Sequence, residues 1–146
     1  MGTDPLINLH NHTIYSDGWF TPEQVVLRAW HGGLKRVAIT DHFETSKVPH
    51  SLERGDFTRY LRNVLALKEM YQGRMDVLVG VEVDCNPERC DLDQLPFDLF
   101  NQLDLVLFEY ANDRMNGGAS LNELRPVLDQ VTVPKGMCHW DIDRIF

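Results

Sequence analysis

Short apolar runs alternate with amphipathic stretches along this chain. The runs are "LINLHNH" (6–12), "VAITDH" (37–42), "VLVGVEV" (77–83) and "LDLVLFEY" (103–110), with a weaker one at "KGMCHW" (135–140). Their length and β-branched content predict strands. Between them, "TPEQVVLRAWHGG" predicts a helix with Thr21 as N-cap, Pro22 at its first position, Gln24 at capping-box spacing and Gly32 or Gly33 as its stop. "DFTRYLRNVLALKEMYQG" predicts a second helix, its apolar stripe formed by Phe57, Tyr60, Leu61, Val64, Leu65 and Tyr71 and its end marked by Gly73. Ser120 and Glu123 have capping-box spacing at the head of a third, "SLNELRPVLDQ", which Pro126 should leave short or bent. Strands alternating with helices predict an α/β fold with parallel strands.

The period of two sorts the strand residues by face. His10 and His12 fall with Asn8, opposite Ile7 and Leu9. Val77, Val79, Val81 and Val83 form an apolar face that leaves Gly80 and Glu82 on the other. His42 falls with Ala38 and Thr40, and Glu109 with Leu105 and Leu107. Each polar group closes the C-terminal end of its strand, which in a parallel barrel is where residues from separate strands converge on a site.

Composition narrows the setting. The 146 residues suit one core, predicting a single domain over 1–146, and 22 acidic against 14 basic residues give a net charge of -8. That balance argues against binding to nucleic acid or an anionic membrane, while leaving room for a small anionic substrate held by local cations. No apolar run approaches the ~20 residues of a membrane span, and the N-terminus lacks the pattern of a signal peptide, so a cytoplasmic protein is expected. Cys85, Cys90 and Cys138 are odd in number and lack zinc-finger spacing, so they read as reduced thiols, with Cys85 and Cys90 structural or incidental.

Singly, these signals have plain structural explanations. His-x-His occurs at exposed strand ends, "SDG" (16–18) is good turn chemistry, and His31 can favour a helix C-terminus. A glutamate within a valine-rich strand is harder to dismiss, because burying an unpaired carboxylate is costly.

Taken in order, "HNHT", "SDG", "TDH", "GVE" and "CHWD" resemble the PHP family, named for polymerase-associated and histidinol-phosphatase members, over essentially the whole chain. "LHNHTIYSDG" followed by a helix and "AITDH" carries most of the likeness. The resemblance implies a distorted (β/α)7-type barrel and a metal-dependent phosphoesterase. Two or three divalent ions at the C-terminal mouth would be held by imidazole and carboxylate ligands that suit Zn, Mn or Fe. Carried over by position, His10 and His12 would hold the first ion, Glu82 would bridge to a second that His139 contacts, and Asp17 with His42 would serve a third. Glu82 and His42 would stand nearest the reaction. Such ions offset the charge that repels a nucleophile from a phosphate ester and lower the pKa of bound water. A small phosphorylated substrate would be chosen by loops, foremost "FETSKVPHSLERGD" (43–56), whose Lys47, His50 and Arg54 read equally as phosphate contacts and as solvated charge.

Two departures accompany the likeness. Ala111 stands near where the family places a histidine after its fourth strand, making Glu109 a substitute oxygen ligand, and no Asp-x-His pair follows His139. A full eightfold barrel takes roughly 250 residues, so the chain is expected to comprise the first five or so β/α units, with an open edge that invites self-association. Two other readings stay open: a PHP-like module with partial metal binding and a structural or regulatory role, and an amidohydrolase-type metal-dependent hydrolase.

Overall fold

The computed structural model describes residues 5–139. Five parallel strands lie in chain order: β1 (Ile7–Asn8), β2 (Arg36–His42), β3 (Asp76–Asp84), β4 (Leu105–Glu109) and β5 (Lys135–Cys138). The connecting helices are α1 (Pro22–His31), α2 (Phe57–Met70), α3 (Phe97–Phe100) and α4 (Leu121–Gln130). A parallel sheet wound in one direction by right-handed crossovers carries its helices on one face, and its twist curls it as a barrel wall curls. The result is a half-barrel. Trp140, the last residue of the fifth predicted strand, lies outside the described residues.

The capping signals act as the sequence predicts. Thr21 and Gln24 form a reciprocal box at the head of α1, and Ser120 and Glu123 do the same for α4, which runs ten residues with Pro126 inside it. The α2 stripe buries Phe57, Tyr60, Val64 and Leu67. Leu65, expected on that stripe, is exposed, because the helical turn hands its place to Leu67.

The valine face of β3 packs with Val37, Ile39, Val106 and Phe108 against the helices, forming the main core. On the concave face Ala38, Leu105 and Leu107 make a smaller cluster with Leu9, Leu78 and Cys138. This apolar floor ends where the polar strand termini begin. Tyr60 ties the layers together: its buried hydroxyl donates to the Gly80 carbonyl at 2.6 Å and lies 3.1 Å from that of Ile39. Tyr60→Phe should cost about 1–2 kcal/mol in urea unfolding, and an unchanged midpoint would show that tie to be idle.

The first strand is shorter than predicted, and the pleat rule fails beyond it. Asn8 and Asn11 bond to each other, His10 N–H donates to the Asn8 side chain, and the Asn11 side chain takes the Ala38 carbonyl. Side-chain amides therefore occupy positions a backbone ladder would use. The chain rejoins β2 only at Asn11, whose carbonyl accepts from Thr40 N–H at 2.8 Å. Leu9, assigned opposite the histidines, lies on the concave floor, and Ile7 is exposed. Among the described residues, no helix is long and apolar enough to cross a membrane.

Candidate metal centre

Strand register builds the site. His42 lies beside Glu82 across β2 and β3, Asp84 beside Glu109 across β3 and β4, and Glu109 beside Cys138 across β4 and β5. All of these close the concave face at the C-terminal end. The turn after β1 swings His10 and His12 over it.

Glu82 is the hub, fully buried. Its Oε1 lies 3.2 Å from His10 Nε2, 3.6 Å from His139 Nε2 and 2.9 Å from Cys138 Sγ. Its Oε2 lies 3.1 Å from both His12 Nε2 and His42 Nδ1. The Nε2 atoms of His10 and His12 face each other at 2.9 Å. His10, Glu82 and His139 form one group compact enough for an ion, and His12, His42 and Glu82 form another. Asp17 and Glu109 belong to neither. Asp17 sits 2.9 Å from His12 Nδ1 and 3.8 Å from His42 Nε2. Glu109, also fully buried, places Oε1 3.4 Å from His42 Nδ1 and Oε2 2.5 Å from Lys47 Nζ.

Whether these residues suit a divalent cation can be judged from their unmet polar atoms. His42 Nδ1, Glu82 Oε2 and Glu109 Oε1 are buried and adjacent, yet none has a hydrogen bond of proper geometry among the described residues. Buried polar atoms are as a rule satisfied. Arg89 Nε, the remaining buried atom of this kind among the described residues, faces Asp84 Oδ2 at 2.8 Å, and a cation approached by ring nitrogens and carboxylate oxygens would satisfy His42 Nδ1 and Glu82 Oε2. The mixed donor set fits zinc, manganese or iron better than calcium or magnesium.

The electrostatics agree. Burial pushes the Glu82 carboxyl up, but the close approach of the His10 and His12 rings, the Cys138 thiol and the charge of His42 outweigh it and hold Glu82 far below the usual range. Burial lowers His12, yet Glu82 and Asp17 together carry it above its ordinary value. Asp17, also raised by burial, is brought below its ordinary value by His42 and His12.

The "SDG" turn is both a turn and a support. Ser16 N–H and Gly18 N–H donate to the Thr13 carbonyl at 3.0 and 2.9 Å, and a Cβ on Gly18 would stand 2.4 Å from the His12 carbonyl oxygen. Only glycine lets the turn close against His12. Buried Asp41 anchors it, accepting from Thr13 N–H, Thr13 Oγ1 and Ser16 Oγ at 2.7, 2.8 and 2.7 Å.

Of the loop cations, Lys47 reaches the site. Arg54 is turned away to Glu44 and the Gln94 carbonyl, and His50 is exposed. Cys85 and Cys90 are buried, and burial pushes the Cys90 thiol up to about 12. Sequence reasoning missed Asp41 and Cys138. Asp41 carried a signal, an acid within an apolar strand, whereas the approach of Cys138 to Glu82 depends on pairing between distant strands.

Fold and site together define a parallel α/β half-barrel with a histidine and carboxylate cluster at its C-terminal mouth. A family model for the PHP domain matches residues 8–130. The chain belongs to the PHP family. It is 30% identical over 82 residues to the 5'-3' exoribonuclease Rnm of Salmonella typhimurium, covering 54% of this chain and 28% of that protein. It is 29% identical over 101 residues to the DNA polymerase/3'-5' exonuclease PolX of Bacillus subtilis, covering 68% of this chain and 17% of that protein. The match thus spans less than a third of either relative. The crystal structure of a histidinol phosphate phosphatase from Lactococcus lactis, complexed with zinc, L-histidinol and phosphate, shares the fold at a TM-score of 0.53 and 20% identity, over 70% of this chain and 39% of that one.

Proposed function

We propose that this protein is a cytoplasmic, metal-dependent phosphoesterase that hydrolyses a small phosphorylated substrate, a phosphomonoester or nucleotide. The convergence of four histidines on the two oxygens of buried Glu82 carries the reading. Glu82, His10, His12, His42 and His139 would hold divalent ions, Glu82 being shared by both groups, and Asp17 at the His42 edge would offer an oxygen to a third. Bound there, divalent ions neutralise phosphoryl oxygens and activate water.

The protein's own groups do the rest. Asp17 holds His12 by Nδ1, which leaves Nε2 turned toward Glu82, the carboxylate-histidine arrangement that orients metal ligands. The apolar floor of Ala38, Leu105 and Leu107 shields the inner side of the cluster from water. The two matched relatives are named as nucleases, which favours a nucleotide within the substrate class. The net charge of -8 weighs against a long polyanion. Self-association belongs to the same reading, since β5 ends the sheet among the described residues; light scattering on the eluting protein measures it.

The purified chain, loaded in turn with zinc, manganese and iron, should hydrolyse nucleoside monophosphates or a generic phosphomonoester. A chelator should abolish turnover and added metal should restore it. Metal-loaded protein that turns over cyclic amides and no phosphoester would instead support the amidohydrolase reading, and protein that holds no metal would support a structural module.

A further inference from the structure

Three acids are buried at the mouth of the half-barrel: Glu82, Asp84 and Glu109. A carboxylate in such a place needs hydrogen bonds or a cation nearby, and the fold meets that need in different ways. Arg89 Nε lies 2.8 Å from Asp84 Oδ2. Lys47 Nζ lies 2.5 Å from Glu109 Oε2. Glu82 alone of the three has neither lysine nor arginine against it among the described residues, and it is the one ringed by histidines.

Lys47 is not a loose surface charge that happens to reach inward. Its N–H donates to Thr45 Oγ1 at 3.1 Å, and that hydroxyl in turn donates to Asp84 Oδ2 at 3.0 Å. Ser46 N–H donates to the Arg89 carbonyl at 3.0 Å. The segment carrying Lys47 is therefore fastened to the segment carrying Arg89. The ammonium also stands 4.9 Å from the centre of the Tyr110 ring, whose other cationic neighbour is the Arg89 guanidinium at 5.4 Å. Tyr110, at a φ of 58°, and His139, at 51°, hold left-handed backbone conformations just after their strands. Such strain at the mouth of a site is maintained only where the surroundings enforce it.

Glu109 would otherwise be a good ligand. It is buried, it lies beside His42, and its Oε1 has no hydrogen-bond partner among the described residues. Its other oxygen already carries the Lys47 ammonium.

We propose that Lys47 is a built-in cation of this centre: its ammonium group neutralises Glu109 and thereby confines divalent ions to the histidine side, around Glu82. The inference rests on the metal-centre reading and goes beyond it by assigning one cationic position to the chain itself. Glu109 is then a partner of Lys47 and not a metal ligand in the unaltered protein.

Metal content decides the matter without reference to turnover. The full chain and its variants are stripped, dialysed against a series of free zinc concentrations and analysed for metal per chain, with circular dichroism recorded on each. Lys47→Ala should bind one ion more than the unaltered protein, because both oxygens of Glu109 become available. Glu109→Gln should leave the count unchanged, and the double variant should return to the original count. Should Lys47→Ala fail to fold, Lys47→Met keeps the aliphatic stem and removes the charge, and the Glu109→Gln arm stands by itself. Equal counts in the unaltered and Lys47-substituted proteins would overturn the proposal, as would loss of an ion from Glu109→Gln. An unaltered protein that holds no zinc would overturn the metal-centre reading and this inference together, a result unlike either of the others.

Discussion

Glu82→Gln will leave the protein folded and unable to retain divalent metal. The substitution keeps the volume of a side chain that is wholly buried, so neither the valine face of β3 nor the concave floor should collapse. It removes the negative charge on which His10, His12, His42 and His139 converge at 3.1 to 3.6 Å. An amide offers one weak acceptor oxygen, and its nitrogen turns two donors toward rings that should be presenting lone pairs. Loss of a partner behind a ligand typically costs ~10–100-fold in metal affinity, and loss of the carboxylate shared by both candidate ion sites should exceed that. Elemental analysis after growth in supplemented medium should find metal in the unaltered protein and essentially none in the variant, with phosphoester turnover falling at least as far. His12→Ala should weaken binding less, since His42 still faces the same oxygen. Equal metal content in all three proteins would remove Glu82 from the centre.

That Glu82 occupies the hub was legible in the sequence because β3 obeys the rule used to read it. The strand is paired on both sides, its valines face the helices, and alternation over Asp76–Asp84 places Gly80 and Glu82 inward. The same holds for His42 on β2 and Glu109 on β4. Only glycine suits the concave side at position 80, since a Cβ there would stand 2.7 Å from the Leu105 carbonyl oxygen. His10 and His12 arrive at the cluster by another route. Their strand gives out after Asn8, where asparagine side chains compete for the backbone's hydrogen bonds, and periodicity has no hold on a turn.

What could not be read depends on contacts between residues far apart in the chain. Lys47 and Glu109 are separated by 62 positions and Cys138 and Glu82 by 56. Loop charge has no periodicity from which its direction could be inferred. Composition could say that cations were available in 43–56. Only the pinning of Thr45 to Asp84 and of Ser46 to Arg89 selects Lys47 and leaves Arg54 to Glu44.

The support behind the turn should prove nearly as sensitive as the ligands themselves. Asp41 lies on β2, on the face opposite His42, and touches none of the cluster directly through its three hydrogen bonds to Thr13 and Ser16. Burial raises its carboxyl above the ordinary value, with those bonds working in the opposite direction. Thr13 and Ser16 flank the segment that ends at Asp17, whose Oδ1 fixes His12. Asp41→Ala would leave the Thr13 N–H and two hydroxyls without their acceptor and a cavity beneath the turn. A cost of about 3 kcal/mol or more is expected, since bonds to a charged acceptor are worth roughly 1.5–3 kcal/mol each and do not add in full. Metal affinity should fall by ~10–100-fold as His12 loses its orientation. Ser16→Ala, which removes one of the three bonds, should cost roughly 1–2 kcal/mol and leave most of the affinity in place. Urea unfolding and zinc titration on the same preparations separate the two effects. If Asp41→Ala matches the unaltered protein in both, the turn is held by Gly18 and its backbone bonds alone; if it loses stability but keeps its affinity, His12 is oriented by Glu82 without help from beneath.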